Sequence, residues 1–406
     1  MNCPQYVKNC INALISAGYT AHAVGGAVRD SILGKEPFDW DVTTSALPAQ
    51  TLEVFKNHRT IPTGIKHGTV TVLFEENEKT YPVEITTYRI DGEYLDSRHP
   101  ESVKFSTLLA DDLSRRDFTV NAMAWNENDG ITDPFCGKRD LENGIIRAVG
   151  DPEIRFSEDA LRILRAYRFS AQLGFEIEEK TLAATATCAH LLKKIARERI
   201  GAELKKMLAS KTLTYSLSKM IENGIWSALF ETKAPSAKCI QKLSTLSPEN
   251  YATRLAALAS ELNENERQTL LTSLRLSNSE QKLVLRLSRV KNFDINTYSD
   301  PISATARRFL HLYENILPLA LEMCEYFGNI PHFEEFKKIV NEESSKGCCL
   351  TLADLAVNGN DLIPLCNGNR RQIGTLLGIL LRTVIENPEL NDKNTLLSLA
   401  EEIIKT

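Results

Sequence analysis

The 406-residue sequence contains no apolar run long enough to cross a lipid bilayer. Its first twenty residues place Asn, Lys and Gln among the apolar positions, so they lack the continuous apolar core of a signal peptide. These two absences predict a cytoplasmic protein with no membrane partner.

Cysteine pairs with a metal-ligand or CxxC spacing are also missing, and only Cys348 and Cys349 are close together. The nine cysteines are an odd number and form no CxxC pair or metal-ligand spacing, and the seven histidines are equally dispersed. This pattern predicts reduced thiols and argues against both a disulfide-stabilised fold and a zinc site built from cysteine and histidine.

The sequence has no excess of basic residues, because its formal net charge is −5. A protein that is basic over its whole surface is therefore excluded, although a local basic groove is not. Fixed-period repeats and low-complexity tracts are absent as well. The overall charge does not decide whether nucleic acid is a partner.

At this length several domains are expected, and the pattern changes once along the chain. The first 150 residues or so alternate helical spacing with strand patterns such as FDWDVTT, GTVTVLFE and YPVEITTY. From Asp151 onward Leu, Ile and Ala recur at helical spacing, and strand patterns nearly vanish. The fold class predicted is α+β: a small mixed sheet with helices, followed by an all-helical half.

The FDWDVT segment places Asp39 and Asp41 two residues apart, so an extended chain directs both carboxylates to one face. Two such carboxylates repel each other unless a cation lies between them, and oxygen ligands of this kind suit Mg²⁺ in phosphoryl transfer. A D-x-D pattern by itself more often marks a polar loop or a helix cap. Glu84 in YPVEITTY is a third carboxylate for which a metal-site role and an exposed strand position remain equally open.

The residues before this pair favour the metal interpretation. Gly25 and Gly26 follow a predicted strand and precede a predicted helix that carries Arg29. Glycines in a turn let the backbone approach a ligand, and backbone N–H groups together with a guanidinium favour a triphosphate.

Two further segments carry arginines. In RRDFTVNA, Arg116 and Asp117 are candidates to reach phosphate or metal-site groups, or else form a solvated ion pair. In SEDALRILRAYRF, a polar stripe is predicted along one helix, with a solvated helix face as the alternative explanation. The stripe consists of Glu158, Asp159, Arg162, Arg165 and Arg168.

Asp159 and Arg162 offer a hydrogen-bond acceptor beside donors. Cytosine and adenine both present an amino donor next to a ring-nitrogen acceptor, whereas uracil and guanine present a carbonyl oxygen where the carboxylate needs a donor. This pair therefore predicts a site that accepts CTP and ATP and rejects UTP and GTP.

The ordered motifs GGAVRD, DWD, RRDFTVNA, DPFCGKRDLENGIIRAVGDP and RFSEDALRILRAYRFSAQLGF resemble those of the class II tRNA nucleotidyltransferases. These are the bacterial and eukaryotic CCA-adding enzymes, and bacterial poly(A) polymerases share their catalytic half. The likeness covers residues 20 to 210 and extends into the tail through LTLADLAVNGNDLIPL, although CNGNRRQIG stands where relatives often have Pro-Gly.

The resemblance implies a polymerase-beta-like catalytic head (1–150), then a helical neck that reads the base (151–210), a body (211–290) and a tRNA-binding tail (291–406). It implies that Asp39 and Asp41 bind Mg²⁺ and that Asp159 and Arg162 read the base with support from Glu158. It also implies nucleotide contacts by Gly26, Arg29, Arg116, Arg165 and Arg168. The segment from Arg89 to Phe105 corresponds to the family's flexible loop, whose presence argues against an enzyme that adds only CC.

The function predicted is template-independent addition of CCA to the tRNA 3′ end from CTP and ATP. An A-adding relative keeps every motif quoted and so stays open as an alternative. A poly(A) polymerase is disfavoured because the chain ends in SLAEEIIKT rather than a basic extension. The long helical half disfavours small-molecule acceptors, and the retained Asp39 and Asp41 disfavour an inactive RNA-binding protein.

Overall fold

A computed structural model describes residues 1–62, 64–76, 78–91, 103–293, 301–366 and 368–405. Within these ranges, no helix is both long enough and apolar enough to cross a membrane. Residues 92–102 of the predicted flexible loop, and Asn367 in the tail segment, lie outside the described residues.

Seven strands of the amino-terminal part form one sheet in the order β3-β4-β5-β2-β1-β8-β9. Every neighbouring pair is antiparallel except β2 and β5, which run parallel, so the sheet is mixed. Two further pairs, β6 with β7 and β10 with β11, lie outside this sheet. The strands are β1 Ala21–Val24, β2 Asp41–Thr44, β3 Arg59–Ile61, β4 Thr69–Glu76, β5 Lys79–Thr87, β6 Arg89–Asp91, β7 Val103–Phe105, β8 Ala124–Asn126, β9 Gly130–Thr132, β10 Ile145–Ile146 and β11 Glu176–Ile177.

The helices of the first half are α1 Gln5–Ser16, α2 Gly26–Ile32, α3 Pro48–Val54, α4 Leu109–Ser114, α5 Gly137–Asn143, α6 Pro152–Glu158, α7 Leu161–Leu173, α8 Glu179–Thr187, α9 Arg197–Leu208, α10 Leu213–Glu222, α11 Ile225–Leu229 and α12 Ala237–Lys242. Those of the second half are α13 Tyr251–Ala259, α14 Glu264–Ser273, α15 Asn278–Arg289, α16 Ile302–Tyr313, α17 Leu317–Phe327, α18 Phe333–Ser345, α19 Gly359–Leu362, α20 Arg370–Glu386 and α21 Lys393–Lys405. Short 3₁₀ turns join several of them.

The predicted α+β architecture is confirmed, and the elements follow from local patterns. In α1 the buried residues Val7, Cys10, Ile11 and Leu14 recur at helical spacing, which gives the helix one apolar face. In β4 buried and partly exposed residues alternate, as expected when one face of a strand packs on a core. Such periodicities are why the sequence alone indicated the strands β2, β4 and β5.

One predicted helix is interrupted. The SEDALRILRAYRF segment is not a continuous helix, because α6 ends at Glu158 and α7 begins at Leu161. Asp159 between them has extended dihedral angles, φ −137° and ψ 102°. The prediction of a single polar stripe from Glu158 to Arg168 is therefore wrong in its first turn.

The chain divides into two compact units. One comprises residues 1–244 with 264–276, and it contains the sheet and the helices up to α12 together with α14. The other comprises residues 245–263 with 277–406 and is helical in the part that the structure describes.

The second unit has an apolar core and a buried arginine. Its core includes Leu362, Leu380 and Leu396, each fully buried. The guanidinium of Arg307 pairs with Glu343 at 2.8 Å and donates to the carbonyl oxygens of Ile385 and Glu386 at the end of α20. Its donors thereby satisfy carbonyls that the helix itself leaves unpaired.

Gly137 at the start of α5 provides a test of head packing. A Cβ atom there would lie 2.2 Å from the carbonyl oxygen of Thr119, a contact that only a backbone shift relieves. We expect Gly137→Ala to destabilise the protein by about 2–3 kcal/mol, measured as a lower Tm by calorimetry. Gly374→Ala is the control: its Cβ would meet no described atom within 4 Å, so Tm should stay or rise. Equal Tm values for the wild type and Gly137→Ala contradict this packing.

Candidate active site

The two predicted metal-binding carboxylates lie at the beginning of β2. Asp41 is the first residue of this strand and is paired in register with Val24 of β1 and Glu84 of β5. Asp39 precedes the strand, and both Asp39 and Asp41 are exposed, whereas Trp40 between them is buried. The predicted alternation of side chains therefore occurs.

Desolvation and neighbouring negative charge both raise the pKa of Asp41. Although the side chain remains exposed, the surrounding protein removes part of its water, and this desolvation, with the charges of Glu84 and Asp39, raises its pKa to about 6. The guanidinium of Arg116 opposes the shift without cancelling it. A cation bound at these carboxylates would remove the repulsion.

Glu84 contributes charge to this site. Its in-register position opposite Asp41 explains its effect on the pKa of that residue. Among the described residues, however, no group of three or more Asp, Glu, His or Cys side chains is arranged to hold a metal ion. Asp39 and Asp41 are thus the candidate ligand pair, and Glu84 does not complete a cluster of three.

The glycine turn after β1 lies against two guanidinium groups. Gly25 has φ 73° and ψ −134°, which favours glycine, and its successor Gly26 begins α2. A Cβ at Gly25 would lie 3.0 Å from Nη1 of Arg116, and one at Gly26 would lie 3.6 Å from Nη2 of Arg29. Because α2 is only seven residues long, the glycine backbone and these arginines, rather than a helix dipole, are the candidate phosphate ligands.

A buried carboxylate that sequence reasoning missed holds the arginines of the RRD motif. Asp112 in α4 is fully buried, pairs with Arg115 at 2.7 Å and Arg116 at 3.2 Å, and accepts a hydrogen bond from Thr43 in β2. Burial by itself would raise the pKa of Asp112, but the two arginines lower it overall. The sequence feature that could have identified Asp112 is its spacing, because it precedes the two arginines by three and four residues at a helix.

Arg116 retains capacity for a ligand. Its Nε is buried and has no hydrogen-bond partner among the described residues, while one of its terminal nitrogens pairs with Asp112. A buried donor without a partner is costly, so an anion at this guanidinium would be favoured.

Asp117 faces α7 and not the carboxylate pair. It accepts hydrogen bonds from Asn121 at 3.1 Å and from Arg165 at 2.7 Å. Burial would raise its pKa, but the positive charge of Arg165 and these hydrogen bonds lower it to about 2. Asn121 in turn accepts from Arg29 at 2.6 Å, so a continuous polar chain joins α2 to α7.

Three predicted nucleotide-binding arginines surround the ring of Phe169. The guanidinium carbons of Arg29 and Arg165 each lie 5.2 Å from the ring centroid, and that of Arg168 lies 3.8 Å away. Arg168 is buried and pairs with Glu203 of α9 at 2.5 Å. The three arginines thus form one cluster, in which Arg168 also holds α7 against α9.

Asp159 and Arg162 are close in the chain but have separate partners. One carboxylate oxygen of Asp159 accepts from the backbone N–H of Leu161, and the other accepts from Arg199 at 3.0 Å. Arg162 donates to Glu158 at 2.6 Å and to the backbone carbonyl of Arg115 at 2.8 Å. Glu158 and Arg162 therefore form an ion pair across the helix break.

Arg199 is a second residue that sequence reasoning missed. It lies in the third position of α9. Its contact with Asp159 joins residues forty positions apart, and nothing in the local pattern indicates that contact.

Comparisons with known proteins match most of the chain. The head-domain model of poly A polymerase matches residues 21–147, and the model described as the probable RNA and SrmB-binding site of polymerase A matches residues 174–237. The chain is 34% identical to the CCA-adding enzyme of Ligilactobacillus salivarius, with 96% of this chain and 94% of that protein covered. It is 35% identical to the CCA-adding enzyme of Enterococcus faecalis, with 97% and 94% covered.

A solved structure, the CCA-adding enzyme of Bacillus stearothermophilus in complex with CTP, is similar along nearly the whole chain. The TM-score is 0.81 at 30% identity, with 99% of this chain and 97% of that chain covered. The predicted family is confirmed: this chain belongs to the CCA-adding enzymes of the tRNA nucleotidyltransferase and poly(A) polymerase family.

Proposed function

We propose that this protein completes the 3′ end of tRNA by adding CMP, CMP and AMP from CTP and ATP, with release of pyrophosphate. The observation that carries the proposal is the position of the segment from Arg115 to Asn121. Arg116 lies over Gly25 near the candidate metal carboxylates, and the carbonyl oxygen of Arg115 holds Arg162 of the candidate base site. One segment thus joins the place for phosphates to the place for the base.

Enzymes of this family depend on a metal ion, and for this chain we assign Mg²⁺ to Asp39 and Asp41. Their carboxylate oxygens fit a hard cation, as does the negative charge of Glu84 and Asp39, which adds to desolvation in raising the pKa of Asp41. The ion would supply Lewis-acid activation of the attacking hydroxyl and neutralise charge on the phosphates. The protein's own part is to hold the ligands rigidly, which the pairing of β2 with β1 and β5 does.

The triphosphate is assigned to Gly26, Arg29 and Arg116. The backbone at the glycine turn leaves room for phosphate oxygens, and the two guanidinium groups stand beside it. Arg165 and Arg168 belong to the same basic cluster around Phe169, so a nucleotide bound there would meet their positive charge together with that of Arg29.

The base is assigned to Asp159 and Arg162. The carboxylate accepts from the amino group of cytosine or adenine, and the guanidinium donates to the adjacent ring nitrogen. Because Asp159 is bonded to Arg199 and Arg162 to Glu158, a base must displace or share these partners. Arg199 and Glu158 then hold the two side chains in place between nucleotides.

The remaining assignments concern RNA and organisation. We assign head, neck, body and tail to residues 1–150, 151–210, 211–290 and 291–406; the head model that ends at residue 147 supports the first border. Exposed Lys193, Lys194 and Lys206 suit contact with an RNA backbone. A cytoplasmic location remains a prediction, supported by nine free cysteines.

One assay tests the proposal. The protein is incubated with Mg²⁺ and tRNA transcripts that end at the discriminator base, at C or at CC, with labelled CTP or ATP. We expect CTP to extend the first two transcripts and ATP to extend the third. Extension of only the CC-ended transcript, and only by A, replaces the proposal with an A-adding enzyme, and extension by many A residues replaces it with a poly(A) polymerase.

A further inference from the structure

Phe38 is the most exposed large apolar side chain in the described residues. Its relative exposure is 102%, and the next highest value is 62%, for Leu108. Single exposed apolar residues are common on protein surfaces and usually need no explanation. The position of Phe38 is what distinguishes it, because it directly precedes Asp39 in the chain.

The backbone near Phe38 is anchored although its ring is free. Trp40, two residues later, is 3% exposed, and β2 begins at Asp41 with partners on both sides. Pro37, one residue before, has its φ angle restricted by its ring. Consecutive Cα atoms are about 3.8 Å apart, so the backbone of Phe38 adjoins that of Asp39, the first of the two candidate metal carboxylates.

The acceptor RNA must approach this place. An attacking 3′-hydroxyl has to come within about 3–3.5 Å of the reacting phosphorus, roughly in line with the leaving pyrophosphate. The triphosphate and the incoming base are assigned to Gly26, Arg29, Arg116, Asp159 and Arg162. None of these residues holds the terminal nucleoside of the acceptor, which must lie beside Asp39 and Asp41.

Stacking suits the chemical problem that this acceptor presents. Its terminal base changes during the reaction from the discriminator base to C and then to a second C. Hydrogen-bond recognition of one base edge would reject the others, whereas every base has a π-face that an aromatic ring can contact. We propose that Phe38 stacks on the base of the acceptor's 3′-terminal nucleotide and so positions the 3′-hydroxyl at the carboxylates.

This inference rests on the proposed function, since it requires an RNA acceptor. The test is a double-mutant cycle that removes either the aromatic ring of Phe38 or the terminal base of the RNA. Wild type, Phe38→Leu and Phe38→Trp are compared on a tRNA transcript ending in C and on the same RNA with an abasic terminal ribose that keeps its 3′-hydroxyl. The quantity measured is kcat/KM for the RNA at saturating CTP, with KM for CTP measured alongside.

We expect Phe38→Leu to lower kcat/KM for the intact RNA by about tenfold to a hundredfold, and Phe38→Trp to preserve it. The wild type should lose a similar factor on the abasic RNA, and Phe38→Leu should lose nothing further there. KM for CTP should stay unchanged. Because the Phe38 ring is fully exposed, the variants should keep the wild-type Tm.

Ile131→Ala is the matched control, because Ile131 is also exposed but lies on the edge strand β9, separated from β2 by β1 and β8. This variant should keep wild-type kinetics. Full activity of Phe38→Leu, or losses that multiply when the variant meets the abasic RNA, would overturn the stacking. A wild type that extends neither RNA refutes the proposed function instead, so the two failures are distinguishable.

Discussion

Replacing Asp41 by asparagine is expected to lower nucleotide addition by at least about 10³-fold. The amide keeps the size of the side chain but loses its charge, so the affinity of Asp39 and residue 41 for a divalent cation falls. Asp39→Asn should have a comparable effect. Single-turnover addition of CMP to a tRNA transcript, measured over a range of Mg²⁺ concentrations, checks the prediction.

The same substitution should stabilise the metal-free protein at pH 7. The pKa of Asp41 is raised in the folded state from 3.8 to about 6, so folding favours the protonated form. The contribution of Asp41 to the free energy of unfolding is therefore highest below pH 3.8, where the carboxyl group is protonated, and it falls as the pH rises through about 6. At pH 7 the ionised carboxylate is a cost to the folded state, about 1 kcal/mol after allowance for solvent screening of an exposed group.

Denaturant unfolding measures this difference. The free energy of unfolding of Asp41→Asn should exceed that of the wild type at pH 7, and the excess should vanish near pH 4. Added Mg²⁺ should stabilise the wild type alone and reverse the order. Glu75→Gln, at an exposed position of β4, is the control and should change neither activity nor stability. Full activity of Asp41→Asn refutes the metal assignment, whereas lost activity without the stability gain refutes only the electrostatic argument.

Replacing Asp159 by alanine should relax nucleotide selection. We expect the ratio of kcat/KM for CTP over UTP to fall by at least about 10²-fold, and the ratio for ATP over GTP to fall likewise. Without the carboxylate, the carbonyl oxygens of uracil and guanine no longer face a repelling acceptor. Overall rate should fall as well, because the amino group of the correct base loses its partner. Competition assays with mixed labelled nucleotides measure both quantities.

Asp159→Asn separates base selection from folding. Alanine also removes the hydrogen bond that the carboxylate accepts from the backbone N–H of Leu161 at the start of α7. Asparagine can keep this bond through its oxygen while it directs an N–H donor toward the base, which should favour uracil and guanine. Glu153→Ala, at an exposed position of α6, is the control for removing an acidic side chain from this region. Unchanged nucleotide preference in both Asp159 variants refutes the base-reading assignment.

How much of the site the sequence could predict depends on how local each feature is. The carboxylate pair could be predicted because side chains two residues apart on an extended chain share a face. The buried Trp40 between them confirms this alternation. The glycine turn could be predicted because it directly joins a strand and a helix. The helix break before α7 could not be predicted, because SEDALR has uninterrupted helical spacing. In the structure the preceding helix ends just before Asp159, which contacts Arg199.

The sequence by itself determined the α+β order of elements, the position of the candidate metal carboxylates and the residue types proposed to discriminate bases. Only the tertiary structure decided which groups meet: Asp112 with the RRD arginines and Thr43, three arginines around Phe169, and Arg199 with Asp159. Local periodicity specifies which face a side chain occupies. The partner on that face is set by packing between elements that lie tens of residues apart, and no short pattern encodes such contacts.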